Sequence, residues 1–153
     1  MTSLYQIKQL ETKLLAVAAN EQKFPKTGWL RTIRETLGLT LEQVGKRLGI
    51  GKMAVQMTEM SEQNKTIKLE TLEKFADALD CQVYYYLVPK KSWSKQLEQS
   101  AEQLARKLIA SSKLHMALEN QTVNDQTITE EQIKLIKQEL LMGKLSKLWD
   151  YGE

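Results

Sequence analysis

The sequence predicts an all-α fold with one short β-strand at about residues 82–88 and further helices after the strand. Over most of the chain, apolar residues recur every three or four positions, as along Ile7, Leu10 and Leu14, which is the spacing of one helical face. One stretch differs: residues 83–88 are dense in aromatic and β-branched side chains and end at Pro89, a composition typical of a strand. With 42% apolar and 27% charged residues, the chain has the composition of a globular protein.

The stretch from Thr40 to Glu62 carries the most specific local signals. Thr40 precedes an apolar-periodic run, and Gln43 can reach back to it, which is the reciprocal capping box that opens a helix. Gly49 ends this short helix and Gly51 can open the next, while Gly45 is small where two backbones approach closely. Two short helices joined by a glycine turn form a helix-turn-helix, whose second helix can enter a DNA major groove.

This stretch resembles the phage-repressor (Cro/CI, or XRE-like) helix-turn-helix family. The resemblance is carried by Thr40, Val44, Gly45, Leu48, Gly49, Ile50, Gly51, Val55 and Glu59. A wider run is similar to the mobile mystery protein A family, at Pro25, Gly28, Trp29, Leu30, Arg31, Arg34, Thr66, Ile67, Leu69, Cys81, Tyr85, Val88 and Pro89. Because members of that family accompany a partner of the Fic type, the resemblance implies an antitoxin-like regulator paired with a Fic-type toxin.

The second helix of the motif offers side chains for reading DNA. Lys suits guanine acceptors, Gln suits adenine and Met suits the thymine methyl, so four residues are expected to face bases: Lys52, Met53, Gln56 and Met57. Four others are expected to contact phosphate: Thr40, Lys46, Arg47 and Lys65. The net charge is only +3, but three cations and no anion lie between positions 46 and 52. The expected partner is double-stranded DNA with an inverted repeat operator.

The pattern divides the chain into an N-terminal helix (1–25), a DNA-binding domain with a terminal strand (26–89) and a C-terminal helical region (90–153). The first helix, at about 2–22, either packs on its own domain or forms a dimer arm, since its apolar pattern suits both. The expected core of the central domain is Trp29, Ile33, Val44, Leu48, Val55, Leu72, Phe75 and Leu79. Arg31 and Arg34 lie off the apolar face of their helix by this pattern.

A lone strand in a helical chain leaves backbone donors and acceptors unpaired. The same strand of a second subunit can pair with them, which predicts a homodimer. The expected dimer residues are Val83, Tyr84, Tyr85, Tyr86, Leu87 and Val88. The alternative is pairing with another strand of the same chain, although no second β-rich run is visible.

The C-terminal region predicts a long helix from Ser92 to about Leu118 and a second helix that ends near Gly143. Thr129 with Gln132 suggests a capping box for the second helix. The apolar tail of Leu145, Leu148 and Trp149 is a candidate anchor for a partner. Residues 115–120 also resemble the inhibitory helix motif of Fic-directed proteins at Glu119 and Asn120, although an ordinary helix end capped by asparagine is the favoured interpretation, because so short a pattern recurs by chance.

The composition argues against an enzyme, a metal protein and a membrane protein. One cysteine, Cys81, and one histidine, His115, exclude a disulfide framework and ordinary zinc-ligand sets, and no nucleophile elbow accompanies the histidine. Without a signal-peptide core or an apolar run of roughly 18 residues, a cytoplasmic protein without cofactor is expected. The helix-turn-helix pattern predicts a sequence-specific DNA-binding transcriptional repressor, and the family resemblance implies that this repressor is an antitoxin. The alternative is a helical interaction subunit that binds a partner protein through Met53, Met57 and Met60.

Overall fold

A computed structural model describes residues 1–118 and 126–151, and the side chains of residues 1–113 and 128–151. The fold is mostly helical, which confirms the predicted class. The helices are α1 (Leu4–Ala18), α2 (Trp29–Thr36), α3 (Leu41–Leu48), α4 (Lys52–Gln63), α5 (Leu69–Ala78), α6 (Trp93–Leu118), α7 (Gln126–Met142) and a final 3-10 helix (Leu145–Tyr151). None of the described helices is long and apolar enough to cross a membrane.

The chain forms two compact units. One is Glu21–Tyr86, which contains α2 to α5, and the other combines residues 1–20 with the chain from residue 87 onward. The first helix therefore belongs to the same unit as the C-terminal helices.

The core of the Glu21–Tyr86 unit is built from all four of its helices. Its buried members are Leu30, Val44, Val55, Phe75 and Leu79, and Ile33, Leu48 and Leu72 pack against them. The expectation for Trp29 is wrong, because its side chain is 38% exposed whereas that of Leu30 is 3% exposed. The buried face of α2 is centred on Leu30, Ile33 and Arg34, and Trp29 lies at the edge of that face in the first position of the helix.

The turn between α3 and α4 has the predicted local structure. Thr40 and Gln43 form the reciprocal capping box, with the Gln43 N–H donating to the Thr40 hydroxyl at 3.2 Å and the Thr40 N–H donating to the Gln43 amide oxygen at 2.8 Å. Gly49 ends α3 in the left-handed region at φ +69°. A Cβ at Gly45 would lie 2.5 Å from the Ile50 carbonyl oxygen, so only glycine allows this close approach.

The strand predicted at about residues 82–88 is absent from the single chain, since the described residues include no strand. The prediction rested on side-chain composition, but a strand also needs a partner backbone to receive its hydrogen bonds. The described part of this chain supplies none. The side chains from Tyr84 to Leu87 are instead 54–79% exposed.

In the second unit, α1 and the last helix pack on α6. One core contains Leu97, Ala101, Leu145 and Leu148, and a second contains Ala105, Ile109 and Ile133. Helix α1 is joined to α6 by an ion pair between Lys8 and Glu98 at 2.8 Å. Helix α1 thus packs within its own chain, which is one of the two alternatives predicted for it.

A buried carboxylate also connects α1 to the start of α6. Glu11 is 5% exposed and accepts a hydrogen bond from the Ser94 hydroxyl at 2.8 Å. Burial raises the pKa of Glu11, but hydrogen bonds from the Ser92 and Ser94 hydroxyls and from the backbone of Ser94 and Trp93 together hold that pKa below its ordinary value. Negative charge near a helix N-terminus is favourable, so Glu11 stabilises the start of α6.

The C-terminal helices correct one boundary. Helix α6 begins as predicted, with the Ser92 hydroxyl accepting from the Lys95 N–H at 3.3 Å. Helix α7 begins at Gln126, so Thr129 lies inside it and the expected capping box with Gln132 is wrong as a helix start. A cap must lie at the non-helical end of the first turn, which sequence spacing alone did not locate. The helix ends at Met142, immediately before Gly143, as predicted.

Candidate nucleic-acid interface

Helix α4 has a buried inner face made of one apolar and two acidic residues. Val55 is fully buried, and Glu59 and Glu62 are each 5% exposed. Their spacing of four and three places them on one side of the helix. Burying two carboxylates costs free energy unless they are paired or hydrogen-bonded. The partners of Glu59 and Glu62 therefore determine how α4 is attached to the rest of the domain.

Glu59 is paired with Arg34 of α2. The Arg34 Nε donates to Glu59 Oε1 at 2.5 Å and Nη2 donates to Glu59 Oε2 at 3.1 Å, which is a two-pronged contact. Arg34 Nη1 also donates to the Leu39 carbonyl at 3.1 Å. The hydrogen bonds to Glu59 raise the pKa of the Arg34 guanidinium above its ordinary value, although burial opposes this. The expectation that Arg34 lies off the buried face is therefore wrong: it is 9% exposed.

Glu62 caps the opposite end of α2. Its two carboxylate oxygens accept from the backbone N–H groups of Trp29 at 3.0 Å and Leu30 at 2.8 Å. These donors belong to the first turn of a helix and would otherwise be unpaired. Gly28 makes the approach possible, because it has φ +82° and a Cβ there would lie 2.7 Å from Glu62 Oε2.

The outer face of α4 is exposed to solvent. Met53 and Met57 are 62% and 66% exposed, and Lys52 and Gln56 are also exposed. Gly51 opens the helix as predicted and caps it with no side-chain hydrogen bond. All four residues expected to face bases thus lie together on the solvent side of one helix, beside an N-terminus with unpaired N–H groups.

The predicted phosphate contacts lie in three places around the motif. Thr40 is at the start of α3, where its hydroxyl already serves the capping box. Lys46 and Arg47 are exposed in the last turn of α3, and Arg47 Nη1 donates to the Ala78 carbonyl at 2.7 Å. Arg47 therefore also supports the fold.

Lys52, one of the residues expected to face bases, lies close to an acidic residue of α3. Its Nζ is 3.6 Å from Glu42 Oε1, and since both side chains are more than 60% exposed this ion pair is weak.

Lys65 lies in the turn that ends α4. It takes a left-handed φ of +59°, its N–H donates to the Glu62 carbonyl at 2.9 Å, and the Thr66 N–H donates to the Ser61 carbonyl at 2.8 Å. This pair of hydrogen bonds is the Schellman arrangement that closes a helix C-terminus. The Lys65 side chain is exposed there.

The residues expected to form the dimer are mostly exposed. Val83 is half-buried, whereas Tyr84 is 70% exposed, Tyr85 is 67% exposed and Leu87 is 79% exposed. Five exposed residues in a row, from Tyr84 to Val88, make an apolar and aromatic segment of the kind found at interaction sites.

The residues expected to bind a partner are found in different environments. Leu145 and Leu148 are 5% and 1% exposed in the core of their own unit, while Trp149 is 43% exposed. Of these three, only Trp149 offers a substantial exposed surface. Glu119 and Asn120 lie outside the described residues.

Comparison with family models identifies this region. Residues 30–86 match the helix-turn-helix family model, and they form an XRE-type helix-turn-helix domain. The match covers α2 to α5 and the segment after them, and it indicates a DNA-binding regulator. Comparison with curated proteins gives no match, and comparison with solved structures gives none either.

Replacing one residue of the Arg34–Glu59 pair should destabilise the domain more than replacing both residues. Glu59→Ala leaves a buried guanidinium without its partner and should lower the free energy of unfolding by about 3–5 kcal/mol. Replacing both residues by leucine should restore most of that loss, because the uncompensated charge is removed. Urea denaturation followed by circular dichroism measures both effects.

The matched control is the exposed pair of Arg31 and Glu35, in which Arg31 Nε lies 2.8 Å from Glu35 Oε1. Arg31→Ala should leave the unfolding midpoint unchanged, because exposed pairs contribute little. Equal effects of Glu59→Ala and Arg31→Ala would contradict the role assigned to the buried pair.

Proposed function

We propose that this protein is a sequence-specific transcriptional repressor that inserts α4 into the DNA major groove. The observation that supports this most directly is the two-sided character of α4. Its inner face is fixed to α2 by Glu59 and Glu62. Its outer face presents Lys52, Met53, Gln56 and Met57, whose side chains have no partner among the described residues other than the weak Lys52–Glu42 pair. A helix held in this way can place side chains against base edges.

The chemistry of the outer face defines the expected readout. Gln56 can pair with the N6 and N7 atoms of adenine, Lys52 can donate to guanine, and the two methionines can contact thymine methyl groups. The unpaired N–H groups at the start of α4 suit a phosphate, as do the exposed ammonium groups of Lys46 and Lys65. Arg47 retains further N–H donors for a phosphate beside its contact with Ala78.

Base-facing and phosphate-facing residues should respond differently to mutation. Operator duplexes are first selected from a random library, and affinities are then measured by fluorescence anisotropy at several salt concentrations. Replacing Gln56 and Met57 by alanine should relax sequence preference. Lys46→Ala should weaken binding to all sequences alike and reduce the slope of log K against log salt by about 0.9.

Lys113→Ala is the control, because it removes the same charge from an exposed position on α6. It should leave both the affinity and the salt slope unchanged. Binding that does not depend on salt, or no binding to any duplex, would overturn the proposal. That outcome would favour the alternative of a protein-interaction subunit, for which the exposed Met53, Met57 and Met60 provide an adaptable apolar surface.

We further propose that the repressor binds as a homodimer through residues 83–88. In a single chain residues 84–88 of this segment are exposed and have no strand partner in the described residues. Antiparallel pairing of two copies would satisfy both backbones and cover Tyr85, Tyr86 and Leu87. A two-fold dimer would read an inverted repeat with half-sites about 34 Å apart.

The dimer is tested by removing one backbone donor. Tyr85→Pro deletes an N–H and should produce a monomer in sedimentation velocity, with weaker binding to the inverted repeat. Tyr85→Val keeps the N–H and a side chain suited to a strand, so it should remain dimeric. A Tyr85→Pro variant that stays dimeric would place the interface elsewhere.

We also propose that the repressor is the antitoxin of a toxin–antitoxin pair with a Fic-type toxin. This proposal rests on the family resemblance of the sequence. Within the described residues, Trp149 is the best candidate anchor, because it is 43% exposed whereas Leu145 and Leu148 are buried in their own unit. Large aromatic side chains are frequent hot spots of binding.

Co-expression with a Fic-type protein encoded beside this chain tests the pairing. The full chain should co-purify with it, and Trp149→Ala should reduce the yield of the complex. Leu135→Ala is the control, since Leu135 is a 61% exposed residue on α7. A full chain that captures nothing would overturn the antitoxin proposal and leave the DNA-binding proposal standing.

A further inference from the structure

The Glu21–Tyr86 unit contains a cavity of about 660 Å³ that is separate from the outer face of α4. Its lining residues include Trp29, Leu72, Cys81, Val83 and Tyr84, together with the acidic residue Glu62. Pockets that bind small molecules commonly have volumes in this range, with mostly apolar walls and a few polar groups. None of the residues expected to contact DNA lines this cavity.

Glu62 is the charged group of the cavity and has no cationic partner among the described residues. Each of its oxygens accepts one backbone N–H, from Trp29 and from Leu30. An ionised carboxylate has about four acceptor positions, so acceptor capacity remains. Glu62 is only 5% exposed. The attraction between its carboxylate and a cationic donor in the cavity would therefore be stronger than the same attraction in water.

Two aromatic residues line the same cavity as Glu62. Trp29 follows the Gly28 cap and is 38% exposed, and Tyr84 is 70% exposed at the other end of the unit's sequence. Aromatic faces attract cations through their quadrupole and also stack on aromatic rings. A carboxylate beside aromatic and aliphatic walls is the combination that recognises an organic ammonium ion.

We propose that this cavity binds a small organic ammonium compound with an apolar, aromatic body. The ammonium group donates to Glu62, and the body packs among Trp29, Leu72 and Cys81. This inference goes beyond the proposed DNA-binding function, since it assigns a ligand site to a different part of the domain.

The test is a titration of the full-length, ¹⁵N-labelled protein with 1-naphthylmethylamine, followed by NMR. The indole N–H signal of Trp29, assigned by its loss in Trp29→Phe, should shift saturably together with the backbone signal of Cys81. The control probe is 1-naphthoic acid, which has the same ring and the opposite charge. It should bind about tenfold or more weakly, because it meets the Glu62 carboxylate.

Two filling variants locate the site. Cys81→Phe and Gln22→Trp add bulk at two lining residues outside the proposed dimer segment and should each weaken binding of the amine about tenfold or more. Lys74→Phe adds the same ring at an exposed position of α5 outside the cavity and should bind the amine as the unchanged protein does. Thermal melts show that each variant is folded.

Two results would overturn the proposal whatever the variants show. One is the absence of a saturable shift at millimolar amine, and the other is equal binding of the amine and the acid. Folded Cys81→Phe and Gln22→Trp proteins that bind as tightly as the unchanged chain would overturn it as well. The titration contains no DNA, so its result is independent of the proposed repressor function.

Discussion

The buried ion pair between Arg34 and Glu59 is the contact on which the geometry of the helix-turn-helix domain depends. It joins α2 to the inner face of α4, with the guanidinium also donating to the Leu39 carbonyl just after α2 ends. One turn further along α4, Glu62 reaches the N–H groups at the beginning of α2. Contacts at both ends of α2 restrain α4 against sliding and against rotation.

This arrangement separates structural residues from reading residues on one helix. Val55, Glu59 and Glu62 are buried and serve the fold, while Met53, Gln56 and Met57 are exposed. Substitutions on the outer face are therefore expected to alter DNA preference with little effect on stability. A buried ion pair of this kind is not required for stability, since a pair of apolar residues can replace it. However, the charged groups make all of their hydrogen bonds in one geometry only.

The features that could be predicted from the sequence are those that depend on neighbours in the chain. The capping box of Thr40 and Gln43 joins residues three positions apart, and Gly45 and Gly49 act within a single turn. The Arg34–Glu59 pair joins residues 25 positions apart, so helical periodicity treated Arg34 as a surface residue. The exposure of Trp29 was also missed. The hydrogen bond from its N–H to Glu62, a residue distant in sequence, fixes where α2 begins, and helical periodicity does not reveal that contact.

Some features of the candidate site could also be predicted from the sequence, and others could not. Periodicity identified the exposed side of α4, because residues facing away from Val55 follow from helical geometry alone. It could not show that Arg47 also supports α5, that Leu145 and Leu148 are buried in their own unit, or that Glu62 lines a cavity. Those facts depend on contacts between distant segments. The absent strand shows a related limit, since pairing depends on a partner and not on composition.

Methyl NMR of the ¹³C-methionine-labelled protein tests the central claim most directly. The selected operator duplex is added, and the methyl signals of Met53 and Met57 are compared with those of Met1 and Met142, which are 92% and 85% exposed in the other unit. The Met53 and Met57 methyl signals should shift on binding, and the Met1 and Met142 signals should not. Shifts at Met1 and Met142, with Met53 and Met57 unchanged, would contradict the insertion of α4 into the major groove.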